Sequence, residues 1–329
     1  MSEWKNHAIR YGVLPLASLM LVLLLAACGN GGGVEPVAPG ANKESSAPSI
    51  EGTAAAFPRT IHHDKGDTVL NEAPQKIAVT YFPYADHLFA IGRGDLVAGA
   101  VGLQSLQNFP VYDEFTKNGQ IADLGNDAPD LEKLLALDPD VIIAWENDEK
   151  IYDQLSKIAP TILIHQSENW QDTIGKIAEV AGEEQNAQAY IDAYNQKLEA
   201  LAAGMKESGV KGKTAMFMMT WNKGFNYYGG VRMEPYYNKL GFSRFPGMKD
   251  WGEISLEGVG EADPDYIFLC KDFTGSAELT LEKLQNEAVW KQLKAVKNNH
   301  VYVVDTEIVG PLAMGQSKGL DVIGNLNLK

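Results

Sequence analysis

The chain has 329 residues, of which 45% are hydrophobic and 22% are charged, a composition typical of a folded globular protein and not of a disordered one. Its formal net charge of −15 argues against nucleic-acid binding, because contact with phosphates needs concentrated lysine and arginine. Its 2 cysteines are too few for a disulfide-stapled scaffold. The length favours two domains.

The first residues predict export and lipid attachment. Residues 1–27 combine early positive charge with an apolar run that ends in small residues before Cys28, as an export signal does. A membrane-spanning anchor is disfavoured, because the run is slightly short for a span of about 20 residues and contains Pro15. The Leu-Ala-Ala-Cys sequence that ends at Cys28 resembles a bacterial lipobox, which implies that this cysteine is lipidated and becomes the mature N-terminus.

The composition after Cys28 separates a tether from the folded part of the chain. Residues 28–56 are rich in glycine, proline, serine and alanine, which predicts a flexible tether. We expect an N-terminal lobe over 57–182, an interlobe helix over 183–208 and a C-terminal lobe over 209–329. The protein is therefore expected outside the cytoplasm, held at the cell membrane by its lipid.

Apolar runs predict buried strands with helical segments between them. The predicted strands, in chain order, are 77–80, 96–99, 141–144, 161–164, 214–220, 266–269 and 301–304. Strands that are apolar on both faces are typical of parallel sheets. The alternation of strands and helices therefore predicts an α/β sheet in each half of the chain.

A single long helix is predicted between the two halves. Apolar residues from Ala187 to Met205 recur in steps of 4 and 3, which places them on one helical face. A helix over residues 183–206 would be about 36 Å long. Such a helix between two α/β lobes predicts little hinge motion.

One internal repeat relates the two halves. Segments 130–142 and 255–267 share leucine, glutamate, aspartate, proline and isoleucine at a constant offset of 125 residues. Asp130 and Ser255 are the candidate N-caps of a short helix in each copy. An Asp-Pro pair is expected to end each helix, and a buried strand follows. The repeat predicts two similar lobes.

Several of these segments resemble a known family in their order and spacing. They are the segment 73–77, the paired Leu-Glu and Asp-Pro-Asp segments, Ala-Pro-Thr at 159–161, and the stretch 290–302. Together they are similar to the siderophore/cobalamin class of ABC-transporter substrate-binding proteins, from about residue 57 onward. The resemblance implies two Rossmann-like lobes joined by a rigid helix, a ligand cleft between them, and transport by a membrane permease with its ATPase.

The resemblance also implies a docking role for two glutamates. In this family one glutamate on each lobe docks to arginines of the permease, and the matching positions are Glu132 and Glu257. Each lies in the first turn of its predicted helix, where a carboxylate interacts favourably with the helix dipole. A glutamate that only stabilises that dipole is the alternative, which the equivalence of the pair across the repeat disfavours.

Ligands of open α/β sheets bind beyond the carboxyl ends of the strands, where this sequence has aromatic and cationic side chains. The candidates for ligand binding are Tyr81, Tyr84, Trp145, Trp221, Lys223, Tyr227, Arg232 and Lys271. Aromatic walls and a few cations suit ferric siderophores, which present large, partly apolar faces. Packing in the core or at the rim is the alternative for each aromatic residue, and a surface ion pair is the alternative for Arg232.

Arg232 is the strongest candidate cation, and it favours a hydroxamate siderophore. Hydroxamate binders of the family carry a cleft tryptophan and arginine in this region. Ferric citrate, a catecholate siderophore, haem and a cobalamin remain alternatives, and an anchored sensor or adhesion protein is the alternative outside the binding class. We expect a monomer with no cofactor of its own, since iron arrives inside the siderophore.

Signals of catalysis and of direct metal binding are outweighed by their context. Residues 315–319 fit the G-x-S-x-G pattern of a nucleophile elbow. However, no predicted strand runs directly into them and no histidine follows Ser317, so an enzyme is not predicted. A metal-ion carrier would need several histidines and carboxylates that converge on one ion, and the scattered histidines do not indicate such a site.

Overall fold

The computed structural model describes residues 57–206, 208–271 and 281–326 and Leu328. The predicted export signal, the tether and the lipid-attachment residue Cys28 lie outside these residues. In the described part of the chain, no helix combines the length and the apolar character that a membrane span requires.

Strands form where the sequence has apolar runs, and the seven predicted strands are confirmed. In chain order the strands are β1 (Arg59–His63), β2 (Gly66–Leu70), β3 (Ile77–Val79), β4 (Val97–Ala100), β5 (Ala122–Asp123), β6 (Val141–Trp145), β7 (Thr161–Ile164), β8 (Ala215–Trp221), β9 (Gly224–Tyr228), β10 (Trp251–Ile254), β11 (Tyr266–Cys270) and β12 (Val301–Val304).

Helices connect most of these strands, and the predicted long helix is confirmed as α7. In chain order the α-helices are α1 (Phe82–Ala90), α2 (Leu103–Asn108), α3 (Asp113–Thr116), α4 (Leu131–Leu137), α5 (Tyr152–Leu155), α6 (Trp170–Ala181), α7 (Glu184–Met205), α8 (Leu256–Ala262), α9 (Leu281–Leu284), α10 (Ala288–Gln292), α11 (Lys294–Lys297) and α12 (Ala313–Gly324). Short 3₁₀ segments lie between them.

The two larger sheets have the same strand order. The first runs β5-β4-β3-β6-β7 and is parallel throughout. The second runs β10-β9-β8-β11-β12, with β8, β11 and β12 parallel. In the second sheet β9 is antiparallel to both of its neighbours, so this sheet is mixed. The chain passes from β8 to β9 through a tight turn at Asn222, where φ is +49°, because an antiparallel pair needs no crossover helix.

The sequence repeat occupies equivalent places in the two sheets. In each lobe an edge strand, β5 or β10, leads through a short helix, α4 or α8, to the strand that pairs with the first strand of that sheet. Both predicted N-caps are confirmed. The Asp130 carboxylate accepts from the backbone N–H groups of Glu132 at 3.0 Å and Lys133 at 3.2 Å. The Ser255 hydroxyl accepts from the Gly258 N–H at 3.2 Å.

Removal of either cap is expected to destabilise the fold modestly. Asp130→Ala and Ser255→Ala each leave a helix N-terminus without its side-chain acceptor, which costs about 1 kcal/mol. Urea denaturation measures the free energy of unfolding. Ser156→Ala, at the exposed end of α5, is the control, with an expected change below about 0.5 kcal/mol. Equal effects at all three positions would contradict the capping role.

One apolar core runs through both lobes. A single cluster of buried residues, from Ile61 to Leu328, includes side chains of both larger sheets and of α1, α6, α7 and α12. Ala187, Tyr194 and Leu198 belong to this cluster and lie on one face of α7. Each sheet has a separate, smaller cluster on its other face. The two lobes therefore share apolar contacts and are not isolated bodies on a linker.

A buried carboxylate also joins the lobes. Asp86 of α1 has no exposed surface. It accepts from the backbone N–H groups of Ala313 at 2.6 Å and Met314 at 3.1 Å, in the first turn of α12. The Tyr112 hydroxyl donates a further hydrogen bond at 2.8 Å. Because N-terminal N–H groups have no partner within their own helix, the N-terminal lobe supplies the cap of a helix from the C-terminal half.

Burial changes the protonation of Asp86 and of the neighbouring His87. It raises the pKa of Asp86 to about 7, although hydrogen bonds from Tyr112 and from the α12 backbone act in the opposite direction. Burial lowers the pKa of His87 to about 3. His87 Nδ1 lies 3.4 Å from Asp86 Oδ2, but an imidazole with this pKa is neutral near pH 7. The two groups therefore do not form an ion pair.

Candidate functional site

Two aromatic residues stack at the switch point of the N-terminal sheet. The strand order reverses between β3 and β6, where a crevice for a ligand is expected. Tyr81 follows β3 and Trp145 ends β6, and their rings stack with centroids 4.2 Å apart and planes 8° apart. The Trp145 backbone N–H donates to Thr80 Oγ1 at 2.9 Å, which ties the two strand ends together. The buried indole Nε1 of Trp145 has no hydrogen-bond partner.

A polar hollow of about 400 Å³ adjoins this stack. Its polar lining comes from the segments that follow β3, β4 and β5 at the same edge of the sheet, including helix α2. The lining residues other than Tyr81 and Trp145 are Thr80, Phe82, Val101, Gly102, Gln104, Ser105, Asn108, Asn126 and Asp127. The sequence did not single out its amides, hydroxyl and carboxylate. Their only sequence signal is their position beyond strand ends.

The C-terminal lobe contributes Arg232 to the region of the Tyr81–Trp145 stack. Arg232 lies in a 3₁₀ turn, Val231–Met233, after β9. Its Nε lies 2.8 Å from Oε2 of Glu168, in the loop after β7. Its guanidinium carbon lies 5.8 Å from the centre of the Tyr228 ring, within the range of a cation–π contact. An ion pair therefore connects the loop after β7 in one lobe with the turn after β9 in the other.

Charged residues of both lobes affect the pKa of the Tyr81 hydroxyl. Burial raises the pKa of Tyr81 to about 12. The Arg232 charge and a hydrogen bond with Gln166 lower it, and the charges of Glu146 and Glu168 raise it. The phenol therefore stays protonated at neutral pH and can donate a hydrogen bond. We call Tyr81, Trp145, Glu168, Tyr228 and Arg232 the interlobe site.

The remaining candidates at the carboxyl edge of the C-terminal sheet lie outside this group. Trp221 ends β8, packs against the shared core and, with Lys223, lines a hollow of about 550 Å³. Lys271 follows β11, and its Nζ lies 2.6 Å from an Asp305 carboxylate oxygen. Both lysines are exposed. They sit at the expected edge of the sheet, but Lys271 already has an acidic partner.

Two predicted residues, Tyr84 and Tyr227, are buried and belong to the packing. Tyr84 lies inside α1 with its ring edge-on to that of Tyr81, centroids 5.5 Å apart, so it supports the stack from the core side, and its hydroxyl donates to the Ile164 carbonyl at 2.8 Å. Tyr227 packs in the cluster on the far face of the C-terminal sheet, 5.2 Å from the Phe245 ring. Tyr227 and Tyr228 lie on a strand, not in a loop, so they point to opposite faces. Only Tyr228 reaches Arg232.

Glu132 and Glu257 occupy equivalent exposed positions. Each lies in the first turn of its helix, α4 or α8, and both helices begin beyond the carboxyl end of an edge strand. Hydrogen bonds from its own backbone N–H and from the Ser255 hydroxyl lower the pKa of Glu257. Both carboxylates are exposed, so a partner can reach them.

Comparison with known proteins decides the family. A model described as periplasmic binding protein matches residues 77–308, a range that contains both five-stranded sheets. The chain belongs to the periplasmic binding protein family.

Relatives of this periplasmic binding protein share most of its length. It is 29% identical to the iron(3+)-hydroxamate-binding protein YxeB of Bacillus subtilis, over 99% of this chain and 98% of the relative. The iron-uptake system-binding protein FeuA of Bacillus subtilis matches with a TM-score of 0.69 at 24% identity, over 82% of this chain and 100% of its own. Staphylococcus aureus SirA, complexed with staphyloferrin B, matches with a TM-score of 0.66 at 28% identity, over 82% and 97%. The predicted two-lobe α/β fold is confirmed.

Proposed function

We propose that this protein captures a ferric siderophore, with a hydroxamate type favoured, and delivers it to the permease of an ABC importer. We base this on one observation, the meeting of the Tyr81–Trp145 stack with Arg232 of the other lobe. Relatives support the ligand class, since YxeB is named as an iron(3+)-hydroxamate-binding protein and SirA was solved with staphyloferrin B.

The chemistry of the interlobe site suits the outside of a wrapped iron complex. Aromatic faces bury the apolar part of such a ligand, and a few polar groups set its orientation. The Tyr81 hydroxyl, the Trp145 indole N–H and the Arg232 guanidinium are donors for the oxygens around the iron. The polar hollow beside the stack offers amides and a hydroxyl to the rest of the ligand.

Charge favours a hydroxamate over a catecholate. Three hydroxamates carry three negative charges and balance Fe³⁺, whereas three catecholates leave a complex with three negative charges. Around Tyr81 one cation, Arg232, faces two carboxylates, Glu146 and Glu168. A neutral complex is therefore accepted more readily there than a strongly negative one.

The rest of the proposal concerns attachment and delivery. Lipidation of Cys28 holds the protein at the outer face of the cell membrane, and removal of residues 1–27 releases it from its export signal. Glu132 and Glu257 dock to arginines of the permease, and the protein acts as a monomer. No catalytic step is proposed. Ser317 lies inside α12, where its carbonyl and hydroxyl accept from Lys197 Nζ at 3.0 and 3.2 Å.

Titration of the soluble chain, without its export signal and tether, tests the function. Ferric trihydroxamate, ferric tricatecholate, ferric citrate, haem and cobalamin are added separately, each iron complex also in metal-free form, and tryptophan fluorescence is followed. We expect saturable binding of the ferric trihydroxamate. Trp145→Ala should weaken it about tenfold or more, because one stacked aromatic face is lost.

Leu135→Ala is the control for the titration. Leu135 is 63% exposed on α4, outside the interlobe site, and its truncation should leave the affinity within about twofold. Binding of haem or cobalamin alone would keep the fold but overturn the siderophore proposal. No binding by a folded protein would favour an anchored sensor or adhesion protein.

A further inference from the structure

Three cations of the C-terminal half have acidic partners. Within the described residues, Lys271 Nζ lies 2.6 Å from Asp305 Oδ1. Lys318 Nζ lies 2.8 Å from Asp305 and 2.6 Å from Glu307. Arg232 likewise forms an ion pair, with Glu168. These three cations therefore offer little unbalanced positive charge to an anionic ligand, whereas binders of such ligands commonly concentrate it.

Glu168 differs from the other acidic partners because it comes from the opposite lobe. Its side chain is 57% exposed, whereas that of Arg232 is 19% exposed. The arginine is thus largely enclosed against Tyr228, and the glutamate reaches it from the loop between β7 and α6. A ligand that needs Arg232 must compete with a carboxylate already in place. A ligand can displace Glu168 from Arg232, because ion pairs with a solvent-exposed carboxylate are weak.

We propose that Glu168 is a specificity-determining residue that selects ligands by charge. Its carboxylate lies against Arg232, where an acidic group of a ligand would bind. A neutral ferric complex can bind over the aromatic stack with this ion pair intact. A strongly negative complex must displace Glu168 or lie beside its charge, and is rejected. This inference rests on the proposed function and adds to it the residue that sets the preference.

The matched variant is Glu168→Gln, which keeps the size of the side chain and removes its charge. We expect its affinity for a triply negative ferric tricatecholate to rise by about tenfold or more, because a repelling charge is lost and Arg232 becomes free. Its affinity for a neutral ferric trihydroxamate should stay within about threefold. The gain should shrink at high salt, since Glu168 is exposed to solvent.

Two further variants separate charge selection from other effects. Glu149→Gln is the control, because Glu149 pairs with Lys65 at 3.0 Å on the same lobe but outside the interlobe site. It should leave both affinities unchanged. In an Arg232→Gln background, Glu168→Gln should give a clearly smaller gain, because the freed partner is absent. Such non-additivity indicates that Glu168 acts through Arg232.

The outcomes distinguish this inference from the proposed function. A wild-type protein that binds the trihydroxamate, with unchanged selectivity in Glu168→Gln, overturns the inference alone. An equal gain in affinity for neutral and negative complexes also overturns it, since the Glu168–Arg232 ion pair would then only hold the two lobes together and would not select ligands by charge. Failure of both proteins to bind any ferric complex overturns the proposed function and this inference with it.

Discussion

Charge reversal at Glu132 and Glu257 together is expected to reduce siderophore uptake to background while ligand affinity stays within about twofold. Both side chains are exposed in the first turns of α4 and α8, so their replacement disturbs no core packing. If they meet arginines of the permease, each Glu→Arg change places two like charges in contact. Like charges at a protein interface cost several kcal/mol, so the two changes together should abolish docking.

Uptake of ⁵⁵Fe-labelled complex by cells that carry each variant measures the effect, and ligand titration of the purified proteins measures affinity. The single changes should give partial losses. Glu199→Arg is the control, because Glu199 lies on the exposed side of α7, outside the repeat. Normal uptake by the double variant would exclude the docking role, and a parallel loss of affinity would instead indicate damage to the binding site.

Asp86→Asn is expected to destabilise the whole fold at neutral pH by about 2 kcal/mol. The asparagine amide would direct N–H groups at a site whose partners are backbone N–H donors of Ala313 and Met314. A buried donor is then left without an acceptor, which costs roughly 1–3 kcal/mol. Denaturant unfolding at pH 7 measures the loss. Asp153→Asn, at an exposed position in α5, is the control and should have little effect.

The pH dependence of the same variant tests the protonation of Asp86. Its pKa is raised from 3.8 to about 7 in the folded protein, so the unfolded chain ionises first as the pH rises. The wild type therefore loses stability relative to Asp86→Asn between about pH 4 and pH 7, by roughly 1.4 kcal/mol per pH unit. The stability gap between the two proteins should be larger at pH 5 than at pH 7. His87 is present in both proteins, so its own titration largely cancels in the difference.

A gap that stays constant from pH 5 to pH 7 would contradict the raised pKa of Asp86. Unchanged stability of Asp86→Asn at every pH would exclude its role as the cap of α12. The two measurements are independent, because the first reports ionisation and the second reports hydrogen bonding.

Most of the parallel strands and the long helix could be predicted because their signals are local. Apolar runs such as Val141–Trp145 have one interpretation in a chain that alternates strands and helices. The strands β9 and β10 were missed because they carry a different signal. Gly224–Tyr228 and Trp251–Ile254 are short and contain glycine or polar residues, which are typical of loops. The aromatic residues of β9 were therefore assigned to one loop, whereas they lie on two faces of a strand.

The site was predicted only in part, because the sequence indicates where strands end but not which residues of the other lobe contact those ends. The rule that ligands lie beyond carboxyl ends selected Tyr81 and Trp145, the family resemblance selected Arg232, and these three come together. Glu168 was not predicted, because the residue with which it pairs, Arg232, belongs to the other lobe and lies 64 positions away in the sequence. Asp86 looked like an ordinary polar residue of a helix, since the N–H groups that it caps are more than 200 residues distant.

The core that passes through both lobes has a consequence for how the protein unfolds. If one lobe opened while the other stayed folded, the shared apolar surface of α1, α6, α7 and α12 would be exposed to water, at a cost of about 25 cal/mol per Å². Half-folded species are therefore sparsely populated, and backbone amides in the two lobes should exchange with solvent in a single cooperative event. A ligand held at one place then protects amides in both lobes, including segments far from it.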